Sequence, residues 1–432
     1  VTRFVPHPRL LASPRHRDWP ACPQPDVPAR PVVPPASADV VIVGAGPAGL
    51  AVAAALWHLG VHDVVVLDRT GAPVGRFLDR VDRLDQRVLR SPYEHHPGVE
   101  GYRDCELRDF ARLHWSLLTP VERREIRMSQ AGHRSVVPVD VFAAYCLHTA
   151  VIHRVTERLW PGEVTSVEPA GDRVTVAGNG FRVDAGQVVL CLGEERRDAP
   201  PAWLAGDRPA EVGYWDEPVP EDTGRQVVVG AGLTAAHLVH GALDRGARVD
   251  WVLRADSERY QCSDVNASFF RAEGRSRFDS RRAPVPWADR LALMSRERRA
   301  SVMFEFQPLF RATEADGRLT VHRASEVRAV HDKGVELADG MLVTGDHTVF
   351  ALGTVPQIGT GLLPDDVVGA RDGWPDLDER TLAYRRAPRV FAAGAAACMV
   401  LGPAARNIDG HRVATARIAA TIAATVGAAG HD

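Results

Sequence analysis

The sequence predicts an α/β protein made of two parallel-sheet units, the second inserted into the first. Three observations predict this. A strand, glycine-rich turn, helix and second strand follow one another twice; the internal spacings of the two copies agree; and each copy is followed far downstream by an apolar strand ending in Leu-Gly. A length of 432 residues allows two cores of ordinary size.

Residues 1–37 are crowded with proline and lack apolar periodicity, so they are expected as a largely irregular extension that builds little core. The run Val40-Val41-Ile42-Val43 then reads as a buried strand. It meets Gly44-Ala45-Gly46-Pro47-Ala48-Gly49, an alanine-rich helix to Gly60, and a strand from Val64 to Leu67 closed by Asp68. The same order returns with Val227-Val228-Val229, Gly230-Ala231-Gly232-Leu233-Thr234-Ala235, a helix to Gly246 and a strand from Val249 to Leu253. Gly44 to Gly60 and Gly230 to Gly246 both span 16 residues, and Gly44 to Asp68 and Gly230 to Arg254 both span 24. Short alternating strands come next in each copy. Val174–Val176 and Phe181–Val183 lead to the strand closing at Gly193; Leu319–Val321 and Val335–Leu337 lead to the one closing at Gly353. A last strand runs into Gly394, and Asp409-Gly410 opens a helix to about Val426 that is expected to return to the first unit.

Each turn has the chemistry of a Rossmann dinucleotide site. The first glycine makes the bend, the second lets backbone approach a diphosphate, and a small third residue lets helix and strand pack. Gly44, Gly46 and Gly49 meet those needs, and Pro47 and Ala48 begin the helix whose free N–H groups would face the phosphates. Asp68 is placed to accept hydrogen bonds from the ribose of an adenosine without a 2′-phosphate, as FAD has. In the second unit Gly230, Gly232, Leu233, Thr234 and Ala235 repeat the turn, with Ala235 as the small third residue. Arg254 stands where Asp68 stood, and a guanidinium pairs with a 2′-phosphate that a carboxylate would repel, which points to NADPH.

Composition excludes several classes. A net charge of -3 argues against a nucleic-acid partner, and no apolar run nears the roughly 20 residues of a membrane span. Lys333 is the one lysine, so Schiff-base chemistry is not expected. Cys22, Cys105, Cys146, Cys191, Cys262 and Cys398 form neither a C-x-x-C pair nor a metal-like spacing, which argues against a disulfide reductase and against a metal site. A cytoplasmic protein is expected, and an oligomer is compatible with the sequence.

Over residues 38–432 these features resemble the two-dinucleotide-domain flavoproteins, and more narrowly the NADPH-dependent class B flavin monooxygenases with an N-hydroxylating lean. The resemblance implies an FAD-binding domain over 38–195 plus 345–432 and an NADPH-binding domain over 196–344. It implies further cofactor contacts at Arg90, Gly193, Gly353, Gly394 and Asn407, and it notes Ala395 where relatives often carry an aspartate that touches the cofactor chain. The segment Gln86 to His96 would run beside the isoalloxazine, and Asp264 to Phe269 echoes an asparagine-containing substrate loop, so Ser91, His95, Asn266 and Asn407 are the candidates for a catalytic role. The implied activity is oxygenation of a small nucleophilic substrate, an amine or amino-acid nitrogen favoured, using NADPH, O2 and an FAD C4a-hydroperoxide. The alternative is an electron-transfer reductase acting on a ferredoxin-like partner, docked through Arg271, Arg275, Arg277, Arg281 and Arg282.

Overall fold

The computed structural model describes residues 7–20, 33–98, 106–220, 222–278 and 285–429. Strand Ser37–Val43 lies between Val64–Asp68 and Phe181–Leu190 and runs parallel to both, with Val40 opposite Val64 and Val41 opposite Val188. Leu159–Pro161 extends this sheet on one side and Ala387–Ala392 on the other, again in parallel. An antiparallel hairpin, Val164–Ala170 and Arg173–Gly178, pairs onto the first half of Phe181–Leu190. The central strands are apolar on both faces because both faces are covered: Val40, Val41, Ile42, Val188 and Val189 are all buried. Helix Pro47–His58 packs against the C-terminal helix Ile408–Ala429.

The second sheet is wholly parallel, in the order Val212–Tyr214, His347–Phe350, Arg225–Val229, Arg248–Val252, Leu319–His322. Two expectations need correcting here. Leu319–Val321 was matched by pattern to Val174–Val176, but Leu319–His322 is the parallel outer strand of the second sheet, the counterpart of Leu159–Pro161. Three alternating residues cannot distinguish a parallel outer strand from part of an antiparallel meander. The meander itself is Val327–His331, Gly334–Leu337 and Leu342–Thr344, of which only the middle strand was expected. Likewise Phe181–Val183 and Val188–Leu190 belong to one strand of 10 residues.

The chain crosses between the sheets twice, and the crossings meet. Glu194–Arg196 and Thr354–Pro356 pair antiparallel, with Thr354 opposite Arg196 and Pro356 opposite Glu194.

The proline-rich extension builds more core than its composition suggested. Pro8–Ala12 forms a short 3-10 helix that buries Leu10 and Leu11 in a cluster shared with Val88 and Val136 of the first unit and Val302, Met303 and Phe306 of the second. Arg17 pairs with two buried carboxylates, Glu122 and Asp140. Glu122 also closes the capping box of helix Pro120–Gln130 with Thr119. Burial raises the Asp140 carboxyl to about 6 despite the opposing pull of Arg17. Two leucines within a proline-rich stretch make no periodic pattern, so the sequence carried no sign of this packing.

Candidate functional site

At the first turn the three glycines have separate reasons to be glycine. Gly44 adopts φ +102, and a Cβ there would lie 2.4 Å from the Cys191 carbonyl oxygen. A Cβ on Gly49 would lie 1.8 Å from the Gly44 oxygen. Around Gly46, in contrast, nothing lies within 4 Å of an added Cβ. The outer two are demanded by packing, and the middle one leaves open space at the N-terminus of helix Pro47–His58. Ala48 is buried behind it. The second turn repeats this division. Gly230 adopts φ +141 and would place a Cβ 2.3 Å from the Ala351 oxygen, whereas Gly232 opens onto free space. Ala235 is buried, Leu233 and Thr234 are half-buried, and the Trp251 indole N–H donates to the Gly230 carbonyl at 2.6 Å. Closed outer positions around an open middle one fit a diphosphate-bearing dinucleotide at each turn.

The residues closing the second strands differ as their chemistry requires. Asp68 accepts from the Ala45 N–H at 2.8 Å and from the Thr70 N–H and hydroxyl at 2.8 and 2.6 Å, so it first of all ties its strand end to the glycine turn. Arg254 is exposed and has no side-chain partner among the described residues. It stands two residues beyond Val252, whose carbonyl accepts from the Gly230 N–H.

A polar junction gathers where the two units meet. Gly193 and Gly353, both at positive φ and both with open space around them, precede the paired crossing strands. Arg406 bridges those strands, pairing with Glu194 at 2.6 Å and donating to the Thr354 hydroxyl at 3.1 Å. Next to it Asn407 donates to Asp264 at 2.6 Å. Arg298 reaches Asp264 at 3.4 Å and donates to the Pro403 carbonyl at 2.6 Å. Arg90 donates to the hydroxyl and carbonyl of Ser301. Asp264 lies deep in the protein yet keeps 21% of its side chain accessible. Burial alone would raise its carboxyl, but Arg90, Arg298, the Asn407 amide and Arg406 together hold it below the usual range. Burial lowers the Arg90 and Arg298 guanidiniums. Three guanidiniums therefore face two carboxylates, a surplus of positive charge that an anionic group would relieve.

The remaining candidates are unequal. Ser91 is half-buried in the loop that carries Arg90. The His95 ring lies 4.6 Å from that of Phe270, and its Nδ1 is buried without a hydrogen-bond partner. His96 faces another way: its Nδ1 accepts from the Gly98 N–H and sits 3.3 Å from the Tyr145 hydroxyl. Asn266 is exposed and accepts from the Ser268 N–H, capping the short helix Ala267–Phe270. The polar side chain of its segment that joins the junction is Asp264, which sequence reasoning did not single out. Ser301, Arg298 and Arg406 were also missed, since the junction comes together only in three dimensions. Gly394, at φ +75, begins a wall of buried alanines, Ala395, Ala396 and Ala397.

Of the expected docking arginines, Arg275 turns inward, pairing with Asp409 and donating to the Phe270 carbonyl at 2.9 Å. Arg271 and Arg277 are exposed, while Arg281 and Arg282 lie outside the described residues. Cys146, Cys191, Cys262 and Cys398 are free thiols; burial pushes Cys191 to about 12 and Cys398 to about 11. Cys22 and Cys105 lie outside the described residues. Among the described residues no helix is long and apolar enough to cross a membrane, and no group of side chains is arranged to hold a metal ion.

Solved structures share this fold. The ornithine hydroxylase of Pseudomonas aeruginosa superposes with a TM-score of 0.71 at 17% identity, over 90% of this chain and 100% of that one. The ornithine N-hydroxylase of Kutzneria sp. 744, solved with reduced FAD, NADP+ and L-ornithine, gives 0.70 at 17%, over 89% and 99%. The bacillithiol disulfide reductase of Bacillus cereus gives 0.60 at 17%, over 90% and 99%. A comparison with curated protein sequences finds no match. The sequence profile of the pyridine nucleotide-disulphide oxidoreductases matches residues 38–273, which include both glycine turns and the strands that carry them. The chain is a member of the pyridine nucleotide-disulphide oxidoreductase family.

Proposed function

We propose that the chain is an FAD-dependent monooxygenase that consumes NADPH and O2 and oxygenates a small nucleophilic substrate, an amine nitrogen favoured. FAD would be held by the Gly44 to Gly49 turn, Asp68 and the wall at Gly394. NADPH would be held by the Gly230 to Ala235 turn and Arg254, with residues 38–195 and 345–432 forming one domain and 196–344 the other. Bound FAD supplies the hydride acceptor and the means of activating O2.

The observation that carries this reading is the junction at Asp264, where elements of both nucleotide units converge on one partly accessible carboxylate. The ornithine hydroxylases of like fold add support for a nitrogen substrate. The surplus positive charge from Arg90, Arg298 and Arg406 favours anionic groups of cofactor or substrate at this place. Asp264, held ionised, orients Asn407 and the guanidiniums and is a poor proton acceptor. His95 is a better one. Its pKa is lowered chiefly by burial and held up in part by Asp409, so the ring is neutral at pH 7. An amine reacts only after losing its ammonium proton, and the neutral His95 ring, half-buried in the loop that follows Arg90, would take it.

NADPH oxidation measured beside hydrogen peroxide release, with candidate amines present, tests the proposal. Oxidation stimulated by an amine, with peroxide falling well short of NADPH consumed, is the expected result. NADPH use that appears wholly as peroxide with every amine would overturn it, and rapid reduction of a ferredoxin would establish the reductase alternative.

A further inference from the structure

The wall at Gly394 is built from side chains that cannot hydrogen-bond. Ala393, Ala395, Ala396 and Ala397 are all buried, and Ala48 lies across from them. Gly394 itself is at φ +75, and a Cβ built there would meet two atoms within 4 Å among the described residues, Ala48 Cβ at 4.0 Å and His411 Nε2 at 3.8 Å. His411 belongs to the first turn of the C-terminal helix, where its N–H donates to the Asn407 carbonyl. One polar side-chain atom thus borders the space between Gly394 and the N-terminus of helix Pro47–His58, the place where the first glycine turn leaves room for a cofactor.

The two nitrogens of this ring face different surroundings. Nδ1 is buried without a hydrogen-bond partner, whereas Nε2 borders the space beside Gly394; the backbone of Arg406 lies close enough to the ring to favour its protonated form. The ring is half-buried, and since Nδ1 is inaccessible its exposed part lies elsewhere on the ring. Burial lowers its pKa to about 4 against the pull of Arg406 and Asp409, so the ring is neutral at pH 7. A neutral imidazole carries one N–H and one lone pair, so with its proton on Nδ1 the ring presents an acceptor at Nε2, the atom facing Gly394.

We propose that His411 is a cofactor-contact residue: its Nε2 accepts a hydrogen bond from an O–H or N–H of the flavin portion of FAD seated against Gly394, supplying the polar contact that the alanine wall cannot. This rests on the reading that the first turn binds FAD. The donors available on that portion of FAD are the ribityl hydroxyls and the ring N3–H, and both suit an unprotonated imidazole nitrogen.

The test uses the holoenzyme. For His411→Leu we expect FAD dissociation about tenfold faster, followed by flavin fluorescence, and a displaced visible absorption band, while His411→Gln stays near wild type. Reconstitution with N3-methyl-FAD separates the donors: weaker retention by wild type, absent in His411→Leu, identifies N3–H, and unchanged retention identifies the ribityl chain. Should the leucine variant fail to fold, 15N-histidine spectra of the wild-type holoenzyme decide, since Nε2 must then show an unprotonated, hydrogen-bonded resonance. A yellow wild type with His411→Leu identical in dissociation and spectrum, or a protonated Nε2 in the wild type, would overturn this inference alone. A wild type that binds no FAD would overturn the proposed function as well.

Discussion

Asn407 donates its side-chain amide to Asp264 at 2.6 Å, joining residues 143 positions apart in sequence. The bond fastens the segment before the C-terminal helix to a loop that follows the second glycine turn. Asp264 is also the carboxylate that Arg90, Arg298 and Arg406 share, so its loss affects more than one bond.

Asp264→Asn leaves those guanidiniums without their common counter-charge. Removing one member of a buried charge cluster costs about 3–5 kcal/mol. Urea denaturation of the variant should show a loss of that order, and a loss under about 1 kcal/mol would mean that the cluster is solvated.

Gly46→Ala and Gly49→Ala should separate folding from binding. An added methyl on Gly46 meets nothing within 4 Å, so that variant should fold with a normal melting curve and lose FAD. On Gly49 it would stand 1.8 Å from the Gly44 oxygen, so that variant should express as aggregate or melt far lower. Retention of FAD by a folded Gly46→Ala protein would place the diphosphate elsewhere.

Arg254→Ala should raise the KM for NADPH about ten- to a hundredfold, the worth of a charge-assisted contact to phosphate, with little change for NADH. Steady-state flavin reduction with each nucleotide gives the comparison. Equal changes for both would remove the 2′-phosphate from the Arg254 environment.

Asp140 gives a pH signature. Its carboxyl titrates at about 6 in the fold against 3.8 for an unperturbed aspartate, so the native state binds the extra proton between those values. That stabilising contribution is complete below about pH 4 and is lost as pH rises through 6, by on the order of 1–3 kcal/mol. The difference in unfolding free energy between wild type and Asp140→Asn should change over that interval and stay flat from pH 7 to 8.

Leu10→Ala should destabilise by about 2–5 kcal/mol, because Leu10 is 1% exposed and its cluster draws on both units. Thermal melting of the variant should fall by several degrees. An unchanged midpoint would return the extension to the irregular role its composition suggested.

The parts legible in sequence were those whose cause is local. A glycine turn between a strand and a helix declares itself within ten residues, since Gly44 and Gly49 serve contacts at a sharp bend. The junction was illegible for the opposite reason. Arg90, Asp264, Arg298 and Arg406 come from four separated segments, and an arginine that faces a carboxylate in the fold reads in sequence like any solvated one. Asp264 and Asn266 are two residues apart, and only the path of the loop decides that the carboxylate turns inward while the amide caps a turn. The leucines of the extension were hidden similarly, because burial there comes from partners in both units.

The parallel pairing of Val188 with Val390 has a consequence for synthesis. The second half of strand Phe181–Leu190 leaves the ribosome with one flank bare, and its neighbour Ala387–Ala392 follows only after roughly 200 further residues, some 10–40 s at ordinary elongation rates. Throughout that delay a nascent chain exposes an unpaired apolar rim to other polypeptides. Chaperone demand during expression should therefore be greatest for nascent chains halted between these two strands.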